Sequence, residues 1–424
     1  GQFVPACRKR GRGGVMVPEK IVVVGLGMSG RSELSASALQ AIQSADELWG
    51  AERFLSEFDD IPAKKVRFRS PLRPQLESLR SRGSRRIVVL ASGDPGFYGI
   101  AATISEILAP EEITIVPNVS ALQSAFAKAG VPWQDAALTS LHARPFPEAL
   151  GLIRRHAKIG LLTEPGFPPN WIAEKILSAG VPDCRAVVCE NLGTKDERIL
   201  AGSLSEIRGM RFAPLNVLLL LQREPFVPSS IGVPRPDDAY AHPRGMITKR
   251  DVRLMTIDRL KIAENDLVWD VGAGSGALSI EIGERAWRGR VFAIEKNAEA
   301  LVFLRRNVDR FGALNVSAVE GAAPEALADL PAPTAVFIGG SGGKLEAILR
   351  FVLNRATPNA RLAANFTILE TLTLALETLR GAGYDPCVAG ISLAYGRGIG
   401  GGTRFDPINP VYVLSCDLGK TIQR

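Results

Sequence analysis

Two glycine-rich turns, each closing a short apolar run, constrain this chain more than any other feature. One is IVVVGLGMSG, Ile21 to Gly30; the other is WDVGAGSGALSIEI, Trp269 to Ile282, about 250 residues further on. An apolar run that breaks into glycines and resumes with a helical pattern reads as a strand–turn–helix unit. Glycine lets the backbone turn sharply and approach a ligand, and the helix that follows presents free N–H groups. Two such units this far apart call for two α/β bodies, and 424 residues exceed one ordinary core.

The division falls at REPFVPSSIGVPRPDDAYAHPRG, Arg223 to Gly245, which holds Pro225, Pro228, Pro234, Pro236 and Pro243. Non-periodic, proline-rich sequence of this kind is semi-extended. We therefore expect a disordered basic tail over 1–16, a first domain over 17–222, a linker over 223–241 and a second domain over 242–424. In the first body, strand candidates Ile21–Val24, Ile87–Leu90, Ile113–Val116, Ile159–Leu162, Ala186–Cys189 and Val217–Leu221 alternate with helical stretches. In the second they are Leu267–Val271, Arg290–Ile294, Val316–Val319, Ala335–Ile338, Leu362–Phe366, Cys387–Leu393 and Val411–Cys416, the pattern of a doubly wound sheet.

Composition excludes several classes. No apolar run approaches the ~20 residues of a membrane span. The net charge of +7 falls to +3 once Arg8, Lys9, Arg10 and Arg12 of the tail are set aside, weak support for a nucleic-acid surface. Five cysteines without a C-x-x-C spacing and three scattered histidines give no metal site, and reduced cytoplasmic thiols are expected.

In the second turn, Asp270, Gly272, Gly274 and Gly276 form D-x-G-x-G-x-G, and the next strand ends in Glu295, nineteen residues after Gly276. A carboxylate at that strand tip can accept from both hydroxyls of a ribose. The third glycine at 276 rather than 277 favours S-adenosyl-L-methionine over a dinucleotide. Gly321 and Ala322 follow strand three and could meet the adenine; FIGGSGGK, Phe337 to Lys344, is either an anion-holding nest or a plain turn. In the first turn, Gly25, Gly27 and Gly30 match G-x-G-x-x-G. The acid that a dinucleotide needs stands at the wrong end of strand two, as Asp46 and Glu47.

ASGDPGFYG, Ala91 to Gly99, and VPNVSALQSAFAKAGVPW, Val116 to Trp133, with CENLGTKDERI further on, strongly resemble the tetrapyrrole methyltransferases. That resemblance implies a fold of two α/β subdomains and donor contacts from Gly25, Leu26, Gly27, Gly93, Asp94, Ser120 and Ala121. Asn118 departs from the glycine many relatives carry, and Leu26–Gly27–Met28 departs from G-P-G. The second body, from HPRGMITKRDVR through DVGAGSGALSIE to FIGGSGG, resembles the decarboxylating precorrin methyltransferase subunits, with a seven-stranded Rossmann-like fold. There the resemblance places Thr248 over the donor.

Together the two resemblances imply S-adenosyl-L-methionine at two sites, one per domain, and no metal. They imply methylation of a precorrin at carbons 5 and 15 with loss of carbon dioxide from the acetate on carbon 12, giving precorrin-8X for cobalamin biosynthesis. Such a polycarboxylate calls for arginines. Arg244, Lys249, Arg250, Arg397 and Arg404 are the candidates, the last two in a glycine-dense loop expected to be mobile, and His242 is a candidate proton donor. A homo-oligomer without nucleic-acid or membrane partners is expected. Two readings compete: RNA methylation with an accessory donor-binding domain, and a non-catalytic corrinoid or donor sensor. The first wants a basic stripe interleaved with aromatics, which are only 6% of the chain. The second leaves two complete donor sites unexplained.

Overall fold

The structure, a computed structural model, describes residues 19–142, 144–226, 233–243 and 247–419. The tail 1–16 and Arg244 lie outside the described residues, so the expectations placed on them have no structural counterpart here.

The chain forms two compact units. One takes in residues up to 142 with 158–170 and 185–221; the other holds 143–157, 171–184 and everything from 222 onward. In the first unit, β1 (Ile21–Gly25), β2 (Glu47–Gly50), β3 (Lys64–Arg67), β4 (Ile87–Ala91) and β5 (Ile113–Val116) form a parallel sheet in the order β3-β2-β4-β1-β5. The central strand β4, IVVLA, is buried on both faces, as its unbroken apolar run requires. A second sheet, β6 (Ala137–Ser140), β7 (Lys158–Leu162), β8 (Arg185–Glu190), β9 (Arg198–Ser203) and β10 (Asn216–Leu221), runs β6-β7-β10-β8-β9 and is antiparallel except for β6 with β7. The first unit thus holds two five-stranded sheets, one parallel and one mixed, in an α/β arrangement.

In the second unit, β11 (Leu267–Val271), β12 (Arg290–Glu295), β13 (Val316–Glu320), β14 (Ala335–Ile338), β15 (Arg361–Phe366), β16 (Cys387–Ile391) and β19 (Val411–Asp417) form one seven-stranded sheet. Its order is β13-β12-β11-β14-β15-β19-β16, parallel through β15 and antiparallel at β19 and β16. The order reverses beside β11, so the crevice at the carboxyl ends of β11 and β14 is where a doubly wound sheet takes its ligand. Helix Ala298–Arg310 starts on Asn297, whose side chain accepts from the Ala300 N–H at 3.0 Å and satisfies one orphan donor.

The glycine-dense stretch expected to be a mobile loop is instead a hairpin. Here β17 (Ala394–Ile399) pairs with β18 (Gly402–Pro407), with Gly400 and Gly401 at the turn at φ 49° and 84°. Those two left-handed positions are the geometry of a type I′ turn, which suits the twist of the strands it joins.

Two helices that lie between second-sheet strands in sequence group with the second unit. Helix Phe146–Arg155 brings Gly151 so close to Trp287 that a Cβ there would stand 2.4 Å from the indole. Arg155 and Arg288 lie over the same ring at 4.7 and 4.4 Å. The linker also ends earlier than its prolines suggest. Arg253, wholly buried, donates to Glu281 Oε1 (3.1 Å), Asp237 Oδ1 (2.8 Å) and the Arg235 carbonyl (2.5 Å). The Tyr240 hydroxyl donates to the same Glu281 oxygen (2.9 Å), anchoring residues 235–240 on helix Ala277–Arg285.

Candidate active sites

In the first unit the two glycine-bearing loops are stitched backbone to backbone. The Gly27 N–H donates to the Gly93 carbonyl (3.3 Å) and the Gly93 N–H to that of Gly27 (3.1 Å). Gly25 sits just behind, where a Cβ would meet the Gly93 oxygen at 2.5 Å, so side chains are excluded by contact between the loops. Leu26 N–H is spent on Ala91, and Met28 and Ser29 N–H on the Glu33 carboxylate at 2.8 and 3.1 Å. The backbone donors of residues 26–29 are thus all engaged within the protein, which argues against a pyrophosphate over this turn. Asn118, the departure from glycine, donates to the Gly25 carbonyl at 3.0 Å and ties the turn after β5 to the same loop.

These loops open on a cavity of about 860 Å³. Of the residues assigned to the donor, Leu26, Gly27, Gly93, Asp94, Ser120 and Ala121 line it, and Gly25 packs behind the Gly93 loop. Asp94 accepts from the Gly96 N–H through Oδ1 at 2.7 Å, an Asx turn, while Oδ2 makes no hydrogen bond to the described residues. Ser120 caps helix Ala121–Lys128 by accepting from the Gln123 N–H at 3.2 Å. The cavity also takes residues that sequence reasoning missed, among them Arg53, Phe54, Phe68, His142, Thr163 and Cys189. Burial, reinforced by the Glu197 charge, pushes the Cys189 thiol up to about 11, so it is a protonated wall rather than a nucleophile.

The second unit has a smaller cavity of about 180 Å³ at the carboxyl ends of β11, β12, β13 and β14. Of the expected residues, Gly272, Glu295, Gly321 and Ala322 line it, joined by Lys296, Lys344 and the 340–342 stretch. Gly272, at φ 76°, leaves a Cβ only 2.6 Å from Gly340 backbone, so the two loops pack as closely as glycine allows. Glu295 accepts from the Gly274 N–H through Oε2 and the Asn297 N–H through Oε1, both at 2.8 Å.

The other expected residues stand elsewhere. Asp270 is wholly buried: β11 is covered on both faces, and the carboxylate accepts from the Ser279 hydroxyl beneath the loop, with Oδ1 unpartnered. Burial, with the Glu295 charge adding, pushes its pKa up to about 7, although the Ser279 hydrogen bond opposes that. Gly276 is the N-cap of helix Ala277–Arg285, where a Cβ would press Leu304 at 3.0 Å, and Gly274 reaches the site only through Glu295. Thr248 contributes its carbonyl to Arg253 (2.5 Å), and His242 Nδ1 lies 2.8 Å from the Pro243 carbonyl. Arg397 and Arg404 face each other across the β17–β18 ladder, with Arg404 paired to Asp406 at 2.7 Å. None of these lines either cavity. Among the described residues no cluster could hold a metal ion, and no helix is long and apolar enough to cross a membrane.

Two family models cover most of the chain: Tetrapyrrole (Corrin/Porphyrin) Methylases over residues 20–208 and the Precorrin methyltransferase domain over residues 238–417. Fold, cavities and matches together define an enzyme built from two methyltransferase bodies. A precorrin-6Y C(5,15)-methyltransferase (decarboxylating) of Sinorhizobium sp is 32% identical over 408 residues, 94% of this chain and 96% of that protein. The chain belongs to the precorrin-6Y C(5,15)-methyltransferase (decarboxylating) family. A cobalt-precorrin-7 C(5)-methyltransferase of Salmonella typhimurium is 34% identical over 42% of this chain and 88% of its own length. The solved precorrin-6y C5,15-methyltransferase from Geobacter metallireducens GS-15 is 40% identical, covering 44% of this chain and 98% of that one, with a TM-score of 0.43.

Proposed function

We propose that this chain methylates precorrin-6B at carbons 5 and 15 and removes the carboxyl of the carbon 12 acetate, giving precorrin-8X. The first unit acts at carbon 5; the second acts at carbon 15 and in decarboxylation. The observation that carries this reading is the presence of two separate cavities, each behind a glycine loop at strand carboxyl ends, in one chain whose relative spans both.

Each unit would hold one S-adenosyl-L-methionine, which would supply a methyl group already activated on a sulfonium. In the first, Asp94 would offer that cation its carboxylate while Leu26, Gly27, Gly93, Ser120 and Ala121 would shape the wall. In the second, Glu295 would accept from the ribose hydroxyls, Gly272 would let the backbone approach, and Gly321 and Ala322 would serve the adenine. Alignment of an enamine-like ring carbon with the donor supplies much of the rate, so the residues chiefly hold and orient. Decarboxylation needs an electron sink, which the protonated conjugated ring provides. The side chains then have to fix the acetate and the other carboxylates, the role we give to Arg397 and Arg404. The exposed Ile399 and Phe405 of the same hairpin favour a homo-oligomer.

The test is to incubate the protein with precorrin-6B and isotope-labelled donor and read the product mass. Two labelled methyls and the loss of one carbon dioxide are expected. A product with a single methyl at saturating donor would overturn the two-site reading.

A further inference from the structure

A polycarboxylate macrocycle entering the first cavity needs a permanent cation there, and its lining offers one. Among the described residues around those 860 Å³, Arg53 is the only arginine or lysine. Arg53 belongs to the short helix Glu52–Leu55 that follows β2 at the carboxyl edge of the parallel sheet.

Its neighbours are engaged. Arg31 pairs with Asp60 at 2.6 Å, and Arg67 with Glu52 at 3.3 Å. The two carboxylates that line the cavity have donors of their own: Glu57 accepts from the Arg31 N–H at 2.8 Å, and Asp94 from Gly96. The Arg53 guanidinium makes no ion pair or side-chain hydrogen bond to the described residues and instead lies over the Phe54 ring, 4.6 Å from its centroid. Stacking of this kind fixes the plane of the guanidinium and leaves its N–H edge free for a bidentate carboxylate. Phe54, Phe68, Phe97 and Tyr98 line the same cavity and supply apolar surface for a conjugated ring.

We propose that Arg53 is the carboxylate anchor of the first site, pairing with an acetate or propionate on the rim of the tetrapyrrole and so setting its position for methylation at carbon 5. This rests on the reading that the first cavity takes the macrocycle.

The test compares wild type, Arg53→Gln and Arg53→Lys in the full chain. With precorrin-6B, Arg53→Gln should raise KM for the carbon 5 step roughly tenfold or more with kcat little changed. Donor affinity by calorimetry should stay at the wild-type value, and carbon 15 methylation should persist. Uroporphyrin III, a stable polycarboxylate porphyrin, gives a readout that needs no turnover. Its fluorescence titration should weaken in Arg53→Gln, weaken less in Arg53→Lys, and lose its salt dependence in the glutamine variant. Equal KM and equal porphyrin affinity in all three proteins would overturn the anchor and leave the proposed function intact. Wild type that binds donor but never methylates carbon 5 would overturn the functional reading, and the anchor with it.

Discussion

Asp94, in the cavity lining, spends one carboxylate oxygen on its own turn and leaves the other without a hydrogen bond to the described residues. Asparagine would preserve the acceptor for Gly96 and remove the charge. Asp94→Asn should therefore melt like wild type without donor, yet weaken first-site donor binding by ~1.5–3 kcal/mol, roughly one to two decades in affinity. Calorimetry and product mass read this together, and early melting with full activity per folded molecule would assign Asp94 to the turn alone. Asp270 makes a different case. Its folded pKa of about 7 lies above the ordinary carboxylate value of 3.8. The folded state therefore binds its proton more tightly than the unfolded chain does. That contribution is complete below about pH 4 and is lost as pH rises to about 7, on the order of a few kcal/mol. Asp270→Asn should flatten the decline of the second unit's melting temperature between pH 5 and 8, measured by calorimetry. An unchanged slope would mean that the carboxylate is ionised throughout.

At the scale of elements, strands with apolar runs on both faces were legible, β4 and β10 among them, because burial leaves them no polar residues. Others were not. β3 (KKVR) and β9 (RILAGS) are half exposed, and their sequences do not differ from those of loops. The β17–β18 hairpin hid behind glycines that read as mobility and serve its turn. Site residues follow the same divide. Gly27, Gly93 and Glu295 carry local signatures, whereas Arg53 and Phe54 become visible only when the fold brings their helix to the cavity. Asp270 stands buried beneath the loop rather than in the cavity lining, a difference that a motif acid and a buried strand residue do not show in sequence. The hairpin also yields a prediction. Arg397 and Arg404 are like charges opposed across a ladder, a repulsion of roughly 0.2–1 kcal/mol that Asp406, 4.0 Å from one and 2.7 Å from the other, offsets. Replacing both with alanine should leave melting unchanged or slightly raised while carbon 15 methylation and decarboxylation fall. Full product with the double variant would remove these arginines from the substrate's path.

At the scale of the whole molecule, the Salmonella relative shows that a protein matching only 42% of this chain is a methyltransferase by name in its own right. We expect fragments 17–222 and 233–424, the second keeping the anchoring residues 235–240, each to fold and bind donor, as calorimetry would show. The C-terminal fragment should nonetheless carry a mark of the cut. Trp287 is 8% exposed beneath Gly151 and Arg155, both of which that fragment lacks. Its tryptophan emission should shift to the red relative to the intact chain, by an amount that adding the N-terminal fragment reverses. If neither fragment bound donor, the two domains would have to be regarded as one folding unit.

The unequal cavities have a pharmacological consequence. On the two-site reading, a donor analogue enlarged on its adenine by a bulky substituent meets more open space in the first cavity, about 860 Å³, than in the second, about 180 Å³. Such a molecule is expected to inhibit the first unit's methylation more than the second's. Chemists would then have a way to halt the pathway at a chosen half-modified ring without altering a single codon.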